Sequence, residues 1–343
     1  MRRVRARSGA VWVAAADERI RYVGSWGDYS TAKGNARATV NSGSRVVFRF
    51  TGRTLTGCFD VSTISRPGQI WVSVDGARPV LRTVDRTRVR LAPRRLGPGP
   101  HTVELTVKDV HEYANRWTPP LESAIILSGF ELARGGQVVE GPAPSDVRMM
   151  FFGDSITQGV RALNLAMGPY GADGRMTFAA LTARAFGADA DQLGFGSQGV
   201  IRPGSGGVPP AGETFGWNFH GSEARREDPH VIVINLGTND NRFGAEAFRP
   251  AYRTYLAQVR EAYPEAWLFA MRPFGGYLAD EIEAAAKEHD RTVYVDTTDW
   301  LEPTDFEDGT HPLVVGHVRA ARRLTQVIAE TTSLPVRLPA AAW

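Results

Sequence analysis

The sequence has a single cysteine, Cys58, which excludes an intrachain disulfide and any zinc site built from cysteines. Lysine is almost missing: Lys33, Lys108 and Lys287 are the only three, and arginine supplies the rest of the 40 basic residues. That skew reads as coding composition. The 37 acidic residues leave a formal net charge of +3, so no nucleic-acid partner is implied. No window approaches the ~18 apolar residues of a membrane-spanning helix, and no membrane partner is expected. No two of the seven histidines stand at metal-ligand spacing, so neither a metal nor a cofactor is expected.

What is present begins with size and turns. A chain of 343 residues with 36 glycines, 21 prolines and 43% hydrophobic residues is long enough for about two globular domains. The basic start, Arg2, Arg3, Arg5 and Arg7, reads as a solvated tail. It precedes the apolar run 9–16, which has two readings: a signal peptide or a first β-strand. The run is short for a signal peptide and has no leucine, which favours the strand. Cytoplasmic localisation is favoured over secretion, and the oligomeric state is not legible.

The front of the chain, 1–140, reads as all-β. Val46–Phe50 and Ile70–Val74 are rich in β-branched and aromatic residues, and His101–Val107 alternates as a half-buried strand does. Asp75-Gly76 and Gly97-Pro98-Gly99-Pro100 supply turns, and Ile125–Leu127 and Phe130–Leu132 read as closing strands. Short strands at this spacing predict a β-sandwich of jelly-roll type. The small, proline-bearing segment 141–146 reads as a linker.

From 147 to 335 the pattern alternates, with 336–343 as a tail. Strands are expected at Val147–Phe152, Ala188–Leu193, Val231–Leu236, Trp267–Met271 and Thr292–Val295. Helices are expected at Met176–Phe186, Phe248–Tyr263, Asp280–His289 and Pro312–Ala329. This predicts a parallel sheet with helices on both faces, whose ligands sit beyond the carboxyl ends of the strands.

The chemistry candidates fall at those ends. Ser155 follows the first strand and stands where a helix N-terminus favours developing negative charge, although a serine there also serves as a helix cap. Gly237-Thr238-Asn239-Asp240 follows a later strand. Asn239 can aim amide donors into a cleft, and the same residues also make ordinary turns. Asp308 and His311, three residues apart across a turn, suit a carboxylate that orients a general base. Alternatively, Asp308 or Thr310 caps the last helix. Gly194-Phe195-Gly196-Ser197-Gln198-Gly199 matches a dinucleotide fingerprint by letter. The prolines and glycines of 203–210 forbid the helix that fingerprint needs. The aromatics Phe215, Trp217, Phe219, Phe274 and Tyr277 either pack or stack on sugar rings. His220, His230 and His317 read as structural.

Together, Gly-Asp-Ser at 153–155, a glycine of the 194–199 segment, Gly-Thr-Asn-Asp at 237–240 and Asp-Gly-Thr-His at 308–311 resemble the four blocks of the SGNH, or GDSL-type, hydrolases. The resemblance covers about 147–330 and implies a three-layer α/β/α, flavodoxin-like fold. It implies Ser155 as nucleophile, His311 as base and Asp308 as its orienter, with Asp305 as a substitute orienter. It also implies an oxyanion hole made of Ser155, Gly199 and Asn239, with Gly196 as the alternative to Gly199. Asp154 is expected to be structural. A sandwich leading straight into Gly-Asp-Ser-Ile-Thr is similar to the two-domain carbohydrate acetyl esterases. The implied partner is a small-molecule ester or acetylated carbohydrate. The alternatives are a lipase or thioesterase for longer acyl chains, and an inactive carbohydrate-binding protein.

Overall fold

A computed structural model describes residues 9–92, 95–224 and 226–338, so the basic segment 2–7 and the last part of the tail, 339–343, lie outside the described residues. The front half is built from β1 (Val11–Ala14), β2 (Arg21–Val23), β3 (Gly27–Thr31), β4 (Gly34–Thr39), β5 (Arg45–Thr51), β6 (Leu55–Phe59), β7 (Gln69–Val74), β8 (Val80–Thr83), β9 (Arg88–Arg90), β10 (Pro100–Asp109), β11 (Ile125–Leu132) and β12 (Val138–Val139). They form two antiparallel sheets. One runs β3-β4-β11-β6-β9 with β1 also on β11, and the other runs β12-β5-β10-β7-β8 with β2 also on β5. Their inner faces close on Phe48, Phe50, Leu55, Val72, Leu105 and Phe130, with the Phe48 and Phe130 rings 4.6 Å apart.

Two features depart from the sequence reading. The closing strands are one continuous strand, β11, whose pairing with β6 shifts register between Leu127 and Gly129. In β10 the alternation stops after Leu105. Thr106–Asp109 are buried on both sides, because this end runs beneath the second half of the chain.

That second half contains β13 (Arg148–Gly153), α1 (Ser155–Gln158), α2 (Phe178–Phe186), β14 (Asp189–Gly194), α3 (Ala211–Thr214), β15 (Trp217–Phe219), β16 (Ser222–Glu223), β17 (Val231–Asn235), α4 (Gly244–Ala262), β18 (Trp267–Met271), α5 (Ala279–Ala286), β19 (Thr292–Val295) and α6 (Val314–Thr332). The central sheet is parallel in the order β14-β13-β17-β18-β19. Successive residues of β13 point to opposite faces, as the two-residue strand period demands. Met149 and Phe151 pack toward α2 and α6, whereas Met150 and Phe152 pack toward α4 and α5. The result is three layers.

Helix ends differ from their sequence bounds. α4 begins at Gly244, four residues early, and carries Pro250 inside its first two turns. α5 stops at Ala286. α6 begins at Val314, so Pro312 lies outside it and instead bridges Phe306. No helix among the described residues is long and apolar enough to cross a membrane.

The two halves share a buried interface. Ala38, Trp117, Leu121 and Ile126 of the sandwich pack with Phe195, Val208 and Phe219 of the α/β half. Polar ties reinforce it: Trp71 Nε1 donates to Asp173 Oδ2 at 2.9 Å, and Asp189 accepts from Arg21 and Arg45 at 2.6 and 3.0 Å.

Candidate active site

The strand order reverses between β14 and β17 on either side of β13, and loops at such a switch point leave a crevice beyond the strand ends. Ser155 stands there, two residues past β13, as the first residue of α1. Gly153 makes the turn possible, since a Cβ at that position would overlap Thr157 Oγ1. The helix cap is Asp154, not Ser155: the Asp154 carboxylate accepts from Ile156 N at 2.9 Å. The Ser155 hydroxyl is therefore free of capping, and its N–H belongs to the first turn, where no carbonyl of the helix stands behind it.

The hydroxyl instead meets His311 Nε2 at 2.9 Å, and His311 Nδ1 meets Asp308 Oδ2 at 2.7 Å. The Asp308–His311 turn closes on itself, because Asp308 Oδ1 accepts from Thr310 N at 3.0 Å and His311 N at 2.8 Å. Neither Asp308 nor Thr310 caps α6, whose N-cap position is Leu313. Burial would raise the Asp308 carboxyl. The His311 N–H, the Arg161 guanidinium, the His311 ring and the Thr310 N–H outweigh it, holding that carboxyl well below the usual carboxylate range. Asp305 lies away from the ring, accepting from Glu302 N at 2.9 Å beneath α6.

Asn239 is brought to the same crevice. Its Nδ2 donates to Asp154 Oδ2 at 3.2 Å and to Gln198 O at 3.0 Å, joining the first, second and third blocks. Asp154 is fully buried, which pushes its carboxyl up to about 6 against the opposing Ile156 N–H. Asp240 accepts from the N–H groups of Val200, Ile201 and Arg202 at 2.9, 3.0 and 3.1 Å, shaping the second-block loop. The two candidate glycine amides of that loop already have protein acceptors. Gly199 N donates to Arg202 O and Gly196 N to Gln158 Oε1, each at 2.9 Å.

Two residues escaped sequence reasoning. Arg161 reaches Asp308 Oδ2 with Nη1 at 2.5 Å, from a backbone φ of +58°. Gln158, at the end of α1, is 1% exposed. It donates to Asp109 Oδ1 at 2.8 Å and accepts from Arg116 Nη1 at 2.9 Å, so the candidate nucleophile's helix is fastened to the sandwich. The one available signal was a glutamine on a four-residue helix that buries every side chain.

The remaining candidates separate. His317 is buried, its ring accepts from Phe178 N at 3.1 Å, and burial together with the nearby His311 drives it down to about 3. His230 accepts from Arg148 N at 3.2 Å at the opposite end of β13. Phe219 is core, whereas Trp217 and Tyr277 are exposed. Among the described residues no cluster of His, Cys, Asp or Glu could hold a metal ion.

Residues 151–319 match the model of the GDSL-like lipase/acylhydrolase family. Cellulase/esterase CelE of Acetivibrio thermocellus is 27% identical over 224 residues, which is 58% of this chain and 27% of that longer protein. A family two carbohydrate esterase from Clostridium thermocellum, solved in complex with cellohexaose, aligns with a TM-score of 0.77 at 24% identity. The alignment covers 92% of this chain and 100% of that one. An acetyl xylan esterase, Est2A, from the rumen bacterium Butyrivibrio proteoclasticus aligns with a TM-score of 0.74 at 17% identity, covering 95% and 99%. Such low identities make these two likenesses of fold, and they extend over the sandwich as well as the α/β half. The α/β half of the chain thus carries a match to the GDSL-like lipase/acylhydrolase family over residues 151–319.

Proposed function

We propose that this protein is a serine carboxylic-ester hydrolase that removes short acyl groups, acetyl foremost, from carbohydrate. The observation that carries the proposal is the continuous relay from Asp308 through His311 to the Ser155 hydroxyl at the switch point of the sheet. Acyl transfer requires a nucleophile, a base within hydrogen-bond reach, and a group that orients the base.

In this reading Ser155 Oγ attacks the ester carbonyl carbon while its proton passes to His311 Nε2. The tetrahedral oxyanion is held by the Ser155 N–H, the Asn239 amide and the amide of Gly199. Asn239 Nδ2 must then release one of its two acceptors, Asp154 Oδ2 or Gln198 O, and Gly199 requires the loop to loosen its bond to Arg202 O; catalytic donors commonly align only once substrate is bound. Collapse expels the alcohol, which takes the proton from His311 and leaves an acyl-enzyme on Ser155. Water, deprotonated by His311, then attacks that acyl group, and the acid departs as Ser155 regains its proton. Asp308 keeps the ring oriented and offsets the charge it gains.

Carbohydrate as the alcohol rests on the shared two-domain fold with the family two carbohydrate esterases and on the CelE match. A fluorophosphonate probe should label the protein, and Ser155→Ala should abolish both labelling and p-nitrophenyl acetate hydrolysis, lowering kcat by at least about 10³-fold. Retention of full esterase activity in that variant would remove Ser155 from the mechanism. Release of acetate from acetylated xylo-oligosaccharides tests the substrate class directly.

One observation favours a second reading, longer acyl chains. Leu163, Leu165 and Met167 stand exposed on the loop that follows α1. A rise in kcat/KM from p-nitrophenyl acetate to the octanoate would select it.

A further inference from the structure

The sandwich loop that follows β10 is wedged between two loops of the α/β half. His111 packs on the Cα of Gly168, beyond α1, while Arg116 N donates to Gly206 O at 3.1 Å, beyond β14. Between these anchors lies Glu112. Its Oε2 rests on the Cα of Gly196 so closely that a Cβ there would overlap it. Glu112 is 4% exposed, yet its carboxylate makes no hydrogen bond or ion pair with any described residue.

The titratable groups within electrostatic reach of it are Arg116, His311, Arg161 and the Asp109 carboxyl, so it lies within reach of the base of the proposed relay. Arg116 does not neutralise it at contact distance. That guanidinium donates to Gln158 Oε1 at 2.9 Å through Nη1 and to Ser205 O at 3.4 Å through Nε, over the Phe195 ring, and leaves Nη2 without a hydrogen-bond partner. Burial pushes the Glu112 carboxyl upward, with the Arg116 guanidinium the first of the groups opposing it.

A nearly buried carboxylate without donors is costly unless something supplies them. The acyl side of an acetyl ester has no donor to offer. The alcohol side has one only if it carries a further hydroxyl. We propose that Glu112 is a specificity-determining residue contributed by the sandwich, accepting a hydrogen bond from a free hydroxyl on the leaving alcohol. The site then takes partly acylated polyols, sugars among them, over alcohols without a neighbouring hydroxyl. This inference rests on the reading of the protein as a carbohydrate esterase. It adds a role for the first domain in choosing the alcohol.

The test compares a methyl xylopyranoside carrying one acetyl group with its fully acetylated counterpart, which has no hydroxyl left to donate. The wild type should prefer the monoacetate in kcat/KM by about tenfold or more, the scale of a hydrogen bond to a charged group. Glu112→Gln, nearly isosteric, should lower that ratio by about tenfold, chiefly through KM, and Glu112→Asp should give an intermediate ratio. A ratio that stays at the wild-type value in both variants overturns the proposal. So does a wild type that hydrolyses the two sugars equally well, without recourse to any variant. A wild type inert even on p-nitrophenyl acetate sinks the esterase reading itself, a different and separately visible failure.

Discussion

Both ring nitrogens of His311 are engaged, one by the Ser155 hydroxyl and the other by Asp308. Asp308 Oδ2 is shared, because Arg161 Nη1 approaches the same oxygen. In the proposed mechanism Arg161 is therefore a positioning residue, acting on the base through the carboxylate. Arg161→Ala should lower kcat roughly tenfold with a smaller change in KM, since loss of alignment at the base falls on the chemical step. The variant also tests linkage. A carboxyl held below its unfolded value of about 3.9 contributes stability above that pH and loses it as pH falls. Removing Arg161 weakens that contribution, so the gap in Tm between wild type and variant should be present at pH 7 and shrink below about pH 4. A gap independent of pH would show that Arg161 stabilises by packing alone.

Among elements, the second-block loop is the one most tightly specified. Gly199 sits against the Asp240 carboxylate, where a Cβ would overlap both oxygens, and that carboxylate is itself locked by three N–H groups. Gly199→Ala must displace Asp240, and with it the adjacent Asn239 amide. A stability loss of about 1–3 kcal/mol in urea unfolding is expected from overpacking. A fall of about 10²-fold in kcat is expected from one misplaced oxyanion donor. Wild-type activity in this variant would detach the loop from the chemistry.

Over the whole molecule, the telling feature is the polar seam between the halves. Asp109 at the end of β10 is completely buried. Burial pushes its carboxyl up to about 7, against Gln158 and Arg116, with Glu112 adding to the rise. Asp109 Oδ2 and Arg116 Nη2 both lack a hydrogen-bond partner. Between about pH 4 and pH 7 the folded protein holds a proton that the unfolded chain has released, so this group makes stability fall as pH rises. Asp109→Asn removes that titration. The difference in Tm, variant minus wild type, should grow from pH 4 to pH 8. A difference that stays flat over that range would show that Asp109 is ionised in the fold.

Much of this was legible in the order of residues. Alternation and short apolar runs marked the strands, because side chains of period two must bury one face or both. Gly153, Ser155, Asn239, Asp308 and His311 stood out because each follows a strand or precedes a helix, where sequence neighbours set the geometry. The Asp308–His311 contact is three residues long and needs only a turn. Helix ends were less legible: Pro312 looked like a first helical residue, but its pairing with Phe306 holds it outside. What sequence could not carry was contact at long range. Arg161 is 147 residues from Asp308, Arg116 is 42 from Gln158, and Glu112 meets Gly196 only because a sandwich loop is pressed against the sheet's edge. Such polar contacts leave no periodic trace. Folding alone decided which carboxylates lost their water, because burial is set by segments that meet only in the packed chain.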